Sequence, residues 1–252
     1  MLAVGWHPEK KLKAFSWSKM VCQRKRFKNS TCAILGVACL VFLFNDSFAG
    51  TAADVFREDG FVCPDVRIEM LSRQKDYRLR DTTPLLRGQH YDNYQNHVVL
   101  AINRMKYGDF SDAVIADLDF TLARWPNHYR AMQLLIDYEA NGGRANKFIQ
   151  VPCYFQRAHW FVPDDENVLV LFGIYQRKLR KYEGAERAWK YALVIEEGSV
   201  EAHYNLGLLY FSLGRFQAAV HHAHKAYELG YPLQGLKRKL VTAGHWKQQP
   251  PE

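Results

Sequence analysis

Residues 204–232 read YNLGLLYFSLGRFQAAVHHAHKAYELGYP. This stretch decides the fold, because the preceding residues carry the same order of small and aromatic residue types. Small and aromatic residue types recur at an interval of 34 residues. The matched pairs are Gly173 and Gly207, Tyr182 and Phe216, Ala185 and Ala219, and Ala192 and Ala226. Such a period is typical of helical hairpins, which bury their apolar faces only by stacking on neighbouring hairpins. The sequence therefore predicts a stack of helix pairs.

The residue types at each position suit two helices that pack closely. Gly207 is small where the backbones must approach, Gly214 suits the left-handed conformation that ends a first helix, and Pro232 marks the exit from the second. The pattern closely resembles the tetratricopeptide repeat family. The residues that carry the resemblance are Leu206, Gly207, Tyr210, Gly214, Phe216, Ala219, Ala226 and Pro232. One departure is Ala223, where the family more often has a large apolar residue, as the preceding copy has in Trp189.

Two weaker copies precede these. One lies between Gln95 and Pro126, and the next has Ile136 in place of the helix glycine and Gly143 where the last copy has Gly214. Since a helix interior does not accept proline, Pro152 is expected in the first turn of a helix that follows Gln150.

The resemblance implies an all-α protein, a right-handed superhelical solenoid of tetratricopeptide-like helix pairs. About four pairs are predicted over residues 94–232, after an irregular N-terminal arm over 50–93. A capping helix and a frayed tail are predicted over 233–252. The apolar side of the capping helix comprises Leu236, Leu240 and Val241. The ending LGYPLQGLKRKLVTAGHW, residues 229–246, also resembles the end of exported bacterial repeat proteins.

The first 49 residues have the composition of a secretory leader. A basic region ends at Lys28, an apolar run covers 32–44, and Ser47-Phe48-Ala49 offers small residues for cleavage. Translation from Met20 would give a leader of ordinary length. We therefore expect an exported, periplasmic protein that meets the membrane only transiently through this leader. A permanent anchor through an uncleaved leader is the alternative, although the apolar run is shorter than a bilayer-spanning helix.

The net charge of +8 is concentrated in the same leader. Residues 1–49 hold eight Lys or Arg against two acidic residues, and the remainder holds 26 against 24. A nucleic-acid partner would require a basic face on the folded domain. The sequence therefore predicts no nucleic-acid binding.

Two cysteines lie beyond the leader, Cys63 and Cys153. In an oxidising compartment such a pair is a disulfide candidate, and two free thiols are the alternative.

In the tetratricopeptide family the first helix of each pair lines the concave side of the superhelix, which implies a protein-binding groove here. The groove residues are Val98, Ile102, Asp137, Val170, Ile174, Arg177, Tyr204, Asn205, Leu208 and Phe211. Chaperone-binding relatives use paired Lys and Asn residues to hold a peptide carboxylate, and only Asn205 matches that arrangement. The mostly apolar groove suits a helix or extended segment of another protein.

No motif in the chain indicates catalysis or a cofactor. The histidines at 203, 221, 222 and 224 suggest a metal site, but no third ligand is in step with them, so no metal is predicted. Asp164, Asp165 and Glu166 open a helix, where carboxylates cap free amides. The leading hypothesis is an exported scaffold that binds another protein and supports an envelope assembly. The alternatives are an envelope enzyme or accessory subunit that uses the arm or the histidines, and a homo-oligomer.

Overall fold

A computed structural model of the chain describes Val55, Phe56, Cys63 and residues 74–143 and 150–246. The predicted leader, most of the predicted arm and the end of the tail lie outside these residues. The described residues belong to one compact unit within 49–252. No helix among them has the length and apolar character needed to span a bilayer.

The described part of the chain is helical and contains no strand. Its elements are a short 3-10 helix (Tyr77–Leu79), α1 (Pro84–Asn93), a π-helical segment (Tyr94–Val98), α2 (Val99–Lys106), α3 (Asp112–Arg124), α4 (Tyr129–Ala140), α5 (Val151–Phe161), α6 (Glu166–Lys178), α7 (Tyr182–Ile195), α8 (Val200–Ser212), α9 (Phe216–Glu228) and α10 (Gly235–Thr242). Consecutive helices pack as pairs: α2 with α3, α4 with α5, α6 with α7, and α8 with α9. The prediction of an all-α, tetratricopeptide-like solenoid is confirmed.

The first helix of the stack begins earlier than predicted. It starts at Pro84, within the stretch that the sequence assigned to an irregular arm. Thr83 caps it, since its hydroxyl oxygen accepts a hydrogen bond from the amide of Leu86 at 3.2 Å, and proline is favourable in a first helical turn. The same rule holds at Pro152, which lies in the first turn of α5 after Gln150, as predicted.

The turns within the pairs use left-handed residues. Gly108 and Gly214 have φ values of 78° and 72°, and Arg180 takes the equivalent place with φ 60°. A left-handed residue with a side chain costs on the order of 1 kcal/mol. In the second pair the left-handed residue is Gly142, one position before the Gly143 that the repeat pattern aligned with Gly214. Gly143 instead provides space, because a Cβ there would lie 2.6 Å from the Tyr138 ring.

The helix glycines mark the closest packing within the last two pairs. A Cβ on Gly173 would lie 2.6 Å from Cε2 of Trp189, whose indole N–H donates to the carbonyl of Val170 at 3.0 Å. A Cβ on Gly207 would lie 2.6 Å from Cδ2 of Leu236. Leu236 of α10 therefore occupies the space that Trp189 fills in the preceding pair. This explains how the last pair tolerates the small Ala223 at the position equivalent to Trp189.

The capping helix buries a narrower face than predicted. Leu236 and Leu240 are fully buried, but Val241 is 54% exposed and does not belong to the apolar face. Residues one turn apart share a helix face, whereas Val241 is rotated about 100° from Leu240. After the helix the chain packs back on α9, where His245 stacks on Phe216 with centroids 3.8 Å apart.

Candidate functional site

The first helices of successive pairs lie side by side. Contacts join α2 to α4, α4 to α6, and α6 to α8. This order brings most of the predicted groove residues onto adjacent helices. We call the following set the first-helix face: Ile102, Asp137, Ile174, Arg177, Asn205, Leu208 and Phe211, all at least partly exposed.

Three predicted groove residues do not lie on this surface. Val98 is 0%, Val170 4% and Tyr204 8% exposed, so they belong to the core. Tyr204 is covered because the ring of Tyr231 stacks on it with centroids 4.0 Å apart. The prediction that these three residues line the groove was wrong, because the protein's own residues cover their side chains and a partner cannot contact them.

The apolar part of the first-helix face consists of Ile102, Ile174, Leu208 and Phe211. Each packs on the core with one side and keeps part of its surface exposed. The Phe211 ring is held by an edge contact with Phe216 at 5.7 Å. The result is an apolar stripe of Ile174, Leu208 and Phe211 on the neighbouring helices α6 and α8, while Ile102 lies apart on α2, beyond α4.

A polar contact crosses the middle of the face. Nζ of Lys178 on α6 lies 2.6 Å from Oδ1 of Asp137 on α4. Lys178 was not among the predicted groove residues, although it follows Ile174 by one helical turn and therefore shares its face. Asn205 donates from Nδ2 to the carbonyl of Glu201 at 2.8 Å, a bond within its own helix. A clamp for a peptide carboxylate therefore has no support on this face.

Cys63 and Cys153 are joined by a disulfide, with their Cα atoms 5.4 Å apart. Cys153 lies in α5, so the bond ties residue 63 to the second helix pair. Phe56 also belongs to the hydrophobic core, with its ring centroid 4.7 Å from that of Phe172.

The carboxylates before α6 have a structural role. Asp165 is the N-cap of α6 and accepts a hydrogen bond from the amide of Asn167 at 3.2 Å. It also accepts from Nδ2 of Asn127 at 2.7 Å and from the hydroxyl of Tyr129 at 3.0 Å. Burial raises the pKa of Asp165, and these hydrogen bonds oppose the rise. The prediction that these carboxylates cap a helix is confirmed for Asp165.

The histidines of the last pair bond to each other and to the backbone. Nε2 of His203 lies 3.1 Å from the carbonyl of Glu197, which can only accept, so this nitrogen carries a proton. Nδ1 of His203 then accepts from Nδ1 of His222 at 2.9 Å. Among the described residues, no three His, Cys, Asp or Glu side chains are grouped to hold a metal ion.

A second histidine pair joins α1 to the start of α4, through His90 and His128. Nδ1 of His128 accepts from the amide of Ala131 at 3.2 Å, so Nε2 of His128 carries the proton and donates to Nε2 of His90 at 3.2 Å. Burial and then the neighbouring His90 lower the pKa of His128 to about 3. Burial and then His203 lower the pKa of His222 to about 4.

The lowered pKa values of His128 and His222 predict that the folded protein is less stable at acidic pH. Because the folded-state pKa of His222 and His128 lies below the ordinary value of 6.5, the neutral rings stabilise the fold above pH 6.5. That contribution is lost as the pH falls from 6.5 towards 4, where the unfolded chain takes up protons that the folded chain excludes. The melting temperature should fall across this window, as followed by circular dichroism.

A matched pair of variants tests the assignment. His222→Asn keeps a donor near Nδ1 and should flatten the pH dependence, whereas His221→Asn changes an exposed neighbour and should leave it in place. An equal effect of both variants would contradict a role of the buried pair.

Comparison with known families agrees with this architecture. Residues 170–230, which span most of α6 to α9, match the model of the tetratricopeptide repeat family. This segment is similar to tetratricopeptide repeats. No curated protein matches the chain significantly. A tetratricopeptide repeat suggests a protein-interaction scaffold, and the family is typically non-catalytic.

Proposed function

We propose that the protein is an exported tetratricopeptide scaffold that binds another protein through the first-helix face and supports an assembly of the cell envelope. The observation that carries this proposal is the partly exposed apolar surface of Ile174, Leu208 and Phe211 on the neighbouring helices α6 and α8. Ile102 adds a further apolar residue on α2, beyond α4. Exposed apolar surface arranged in this way is typical of contact sites. The partner docks and is not chemically changed.

The occupant that fits best is an amphipathic helix or extended segment of another protein. Apolar side chains of the segment would cover the stripe, and the Asp137–Lys178 pair and Arg177 would contact its polar groups and set its register.

Export to the periplasm rests on two independent features. The leader over residues 1–49 has the basic, apolar and small-residue order of a secretory signal, and Cys63 and Cys153 are paired. Disulfides persist in oxidising compartments and are rare in the cytosol. An uncleaved leader would instead keep the same domain anchored at the membrane.

The proposal is tested by capture from envelope extract with Leu208→Glu. A carboxylate in the apolar stripe should abolish recovery of the partner, because its burial against apolar side chains is costly. Val194→Glu is the matched control, since Val194 is 70% exposed on α7, outside the first-helix face. Equal recovery with Leu208→Glu and the unchanged protein would contradict the proposal.

Light scattering on the purified protein separates a foreign partner from a second copy of the chain. We expect a monomer. A dimer that Leu208→Glu dissociates would mean that the face serves self-association instead.

A further inference from the structure

A polar cavity lies beside the first helix pair, away from the first-helix face of α6 and α8. Its volume is about 360 Å³, and its polar lining includes Lys75, Gln89, Asp92, Asn93, Asn96 and Arg124. This volume lies within the range of small-molecule sites. The tetratricopeptide match begins at residue 170 and does not include any of these residues.

Asn93 is the residue that most requires an explanation. Its side chain lines the cavity and is only 6% exposed, and neither Oδ1 nor Nδ2 has a hydrogen-bond partner among the residues that the structure describes. A buried amide without partners costs about 1–3 kcal/mol. A leucine would fill the same space without that cost, so the amide is retained at the expense of stability.

The helical segment that contains Asn93 places three amide side chains at the cavity. Gln89, Asn93 and Asn96 follow one another at intervals of about one helical turn, and all three line the cavity. The π-helical segment Tyr94–Val98 begins directly after Asn93. Single π-helical turns inserted into α-helices occur frequently at functional sites. Three amides offer several donors and acceptors to one ligand, which suits vicinal hydroxyl groups.

The charges of the cavity favour an anion. Lys75 and Arg124 supply two cations against the single carboxylate of Asp92. The position of Lys75 is fixed, because its backbone amide donates to the carbonyl of Arg124 at 2.8 Å.

The aromatic side chains at the cavity are already engaged by the protein. Trp125 is 1% exposed, and its ring lies 5.7 Å from the ring of His90. The Phe120 ring contacts His97 at 3.9 Å between centroids and the guanidinium of Arg124 at 3.6 Å. Recognition by the polar groups is therefore favoured over stacking on these rings.

From these observations we infer that the cavity binds a sugar acid, a small polyhydroxylated ligand with one carboxylate. Lys75 and Arg124 hold the carboxylate, while Gln89, Asn93 and Asn96 bond to the hydroxyl groups. Asp92 accepts a hydrogen bond from a further hydroxyl.

Isothermal titration calorimetry of the purified protein with glucuronate tests this inference. Glucose lacks the carboxylate and acetate lacks the hydroxyl groups, so each should bind about tenfold or more weakly, which corresponds to the loss of one strong interaction. No heat of binding with glucuronate would overturn the inference. Stronger binding of glutamate than of glucuronate would also overturn it, since an amino acid would then be the ligand.

Variants distinguish a binding role of Asn93 from a structural one. Asn93→Leu should weaken glucuronate binding about tenfold or more and leave the melting temperature unchanged or raised. Gln95→Leu, an exposed neighbour that does not line the cavity, should change neither. Lys75→Gln should weaken glucuronate binding and leave the weak binding of glucose as it is. A destabilised Asn93→Leu protein that still binds glucuronate would show that Asn93 acts only in the fold.

The cavity and the first-helix face are separate sites, so the two proposals are tested independently. Leu208→Glu should leave glucuronate binding intact, and Asn93→Leu should leave capture of the protein partner intact. Loss of both functions in either variant would contradict the separate assignment.

Discussion

Gly173→Ala is expected to lower the free energy of unfolding by about 3 kcal/mol, the upper part of the usual range for overpacking a core. The added methyl group would collide with the indole of Trp189, which is fully buried and held by its bond to the carbonyl of Val170. Because the ring is fully buried, moving it away from the methyl group would disturb the surrounding core and this hydrogen bond. The gain in helix propensity from glycine to alanine, about 1 kcal/mol, is smaller than this cost.

Gly207→Ala is the matched control for this prediction. The same methyl group there meets the end of Leu236, a flexible side chain, so the loss should be less than half as large. Urea unfolding followed by circular dichroism measures both variants. Trp189→Leu should reduce the additional cost of Gly173→Ala when the two changes are combined. Equal losses for the two glycine variants would mean that the repeat position, and not the tryptophan, sets the cost.

Removal of the disulfide is expected to lower the free energy of unfolding by about 4 kcal/mol, the value for a closed loop of this length. The bonded residues are 90 positions apart, so the cross-link strongly restricts the unfolded chain. The double variant Cys63→Ala, Cys153→Ala should therefore melt at a lower temperature. Alanine is the suitable replacement because Cys153 is buried and a serine hydroxyl would add a desolvation cost.

Reductant supplies the control for the disulfide. It should lower the melting temperature of the unchanged protein to that of the double variant and leave the double variant unaffected. Mass measurement after alkylation of the denatured, unreduced protein provides the independent check. Modification of both Cys63 and Cys153 under those conditions would show that the bond is absent.

Local rules explain which predictions from sequence were accurate. Gly214 ends α8 in the left-handed conformation, Pro152 lies in the first turn of α5, and Asp165 caps α6. Each outcome depends on the backbone within one or two turns, which the neighbouring residues in sequence determine. The start of α1 at Pro84 was accessible by the same rules, through Thr83, but no repeat pattern drew attention to it.

The surface could not be predicted with the same accuracy. The repeat position correctly placed Ile174 and Leu208 on a partly exposed face, yet Val170 and Tyr204 are buried. Repeat position gives the direction of a side chain, while its exposure depends on residues that other elements bring to it. Tyr231 covers Tyr204, and nothing within the sequence of α8 indicates that contact.

By itself the sequence determined that this protein is a stack of helix pairs, because a period of 34 residues links the last two copies and local turn residues end the first helices. Only the tertiary structure decided that Leu236 of α10 takes the place of a tryptophan over Gly207, and that Asn93 lies buried beside a polar cavity. The physical reason is that close packing and the burial of polar groups depend on atoms from elements far apart in the chain, which meet only when the helices have stacked.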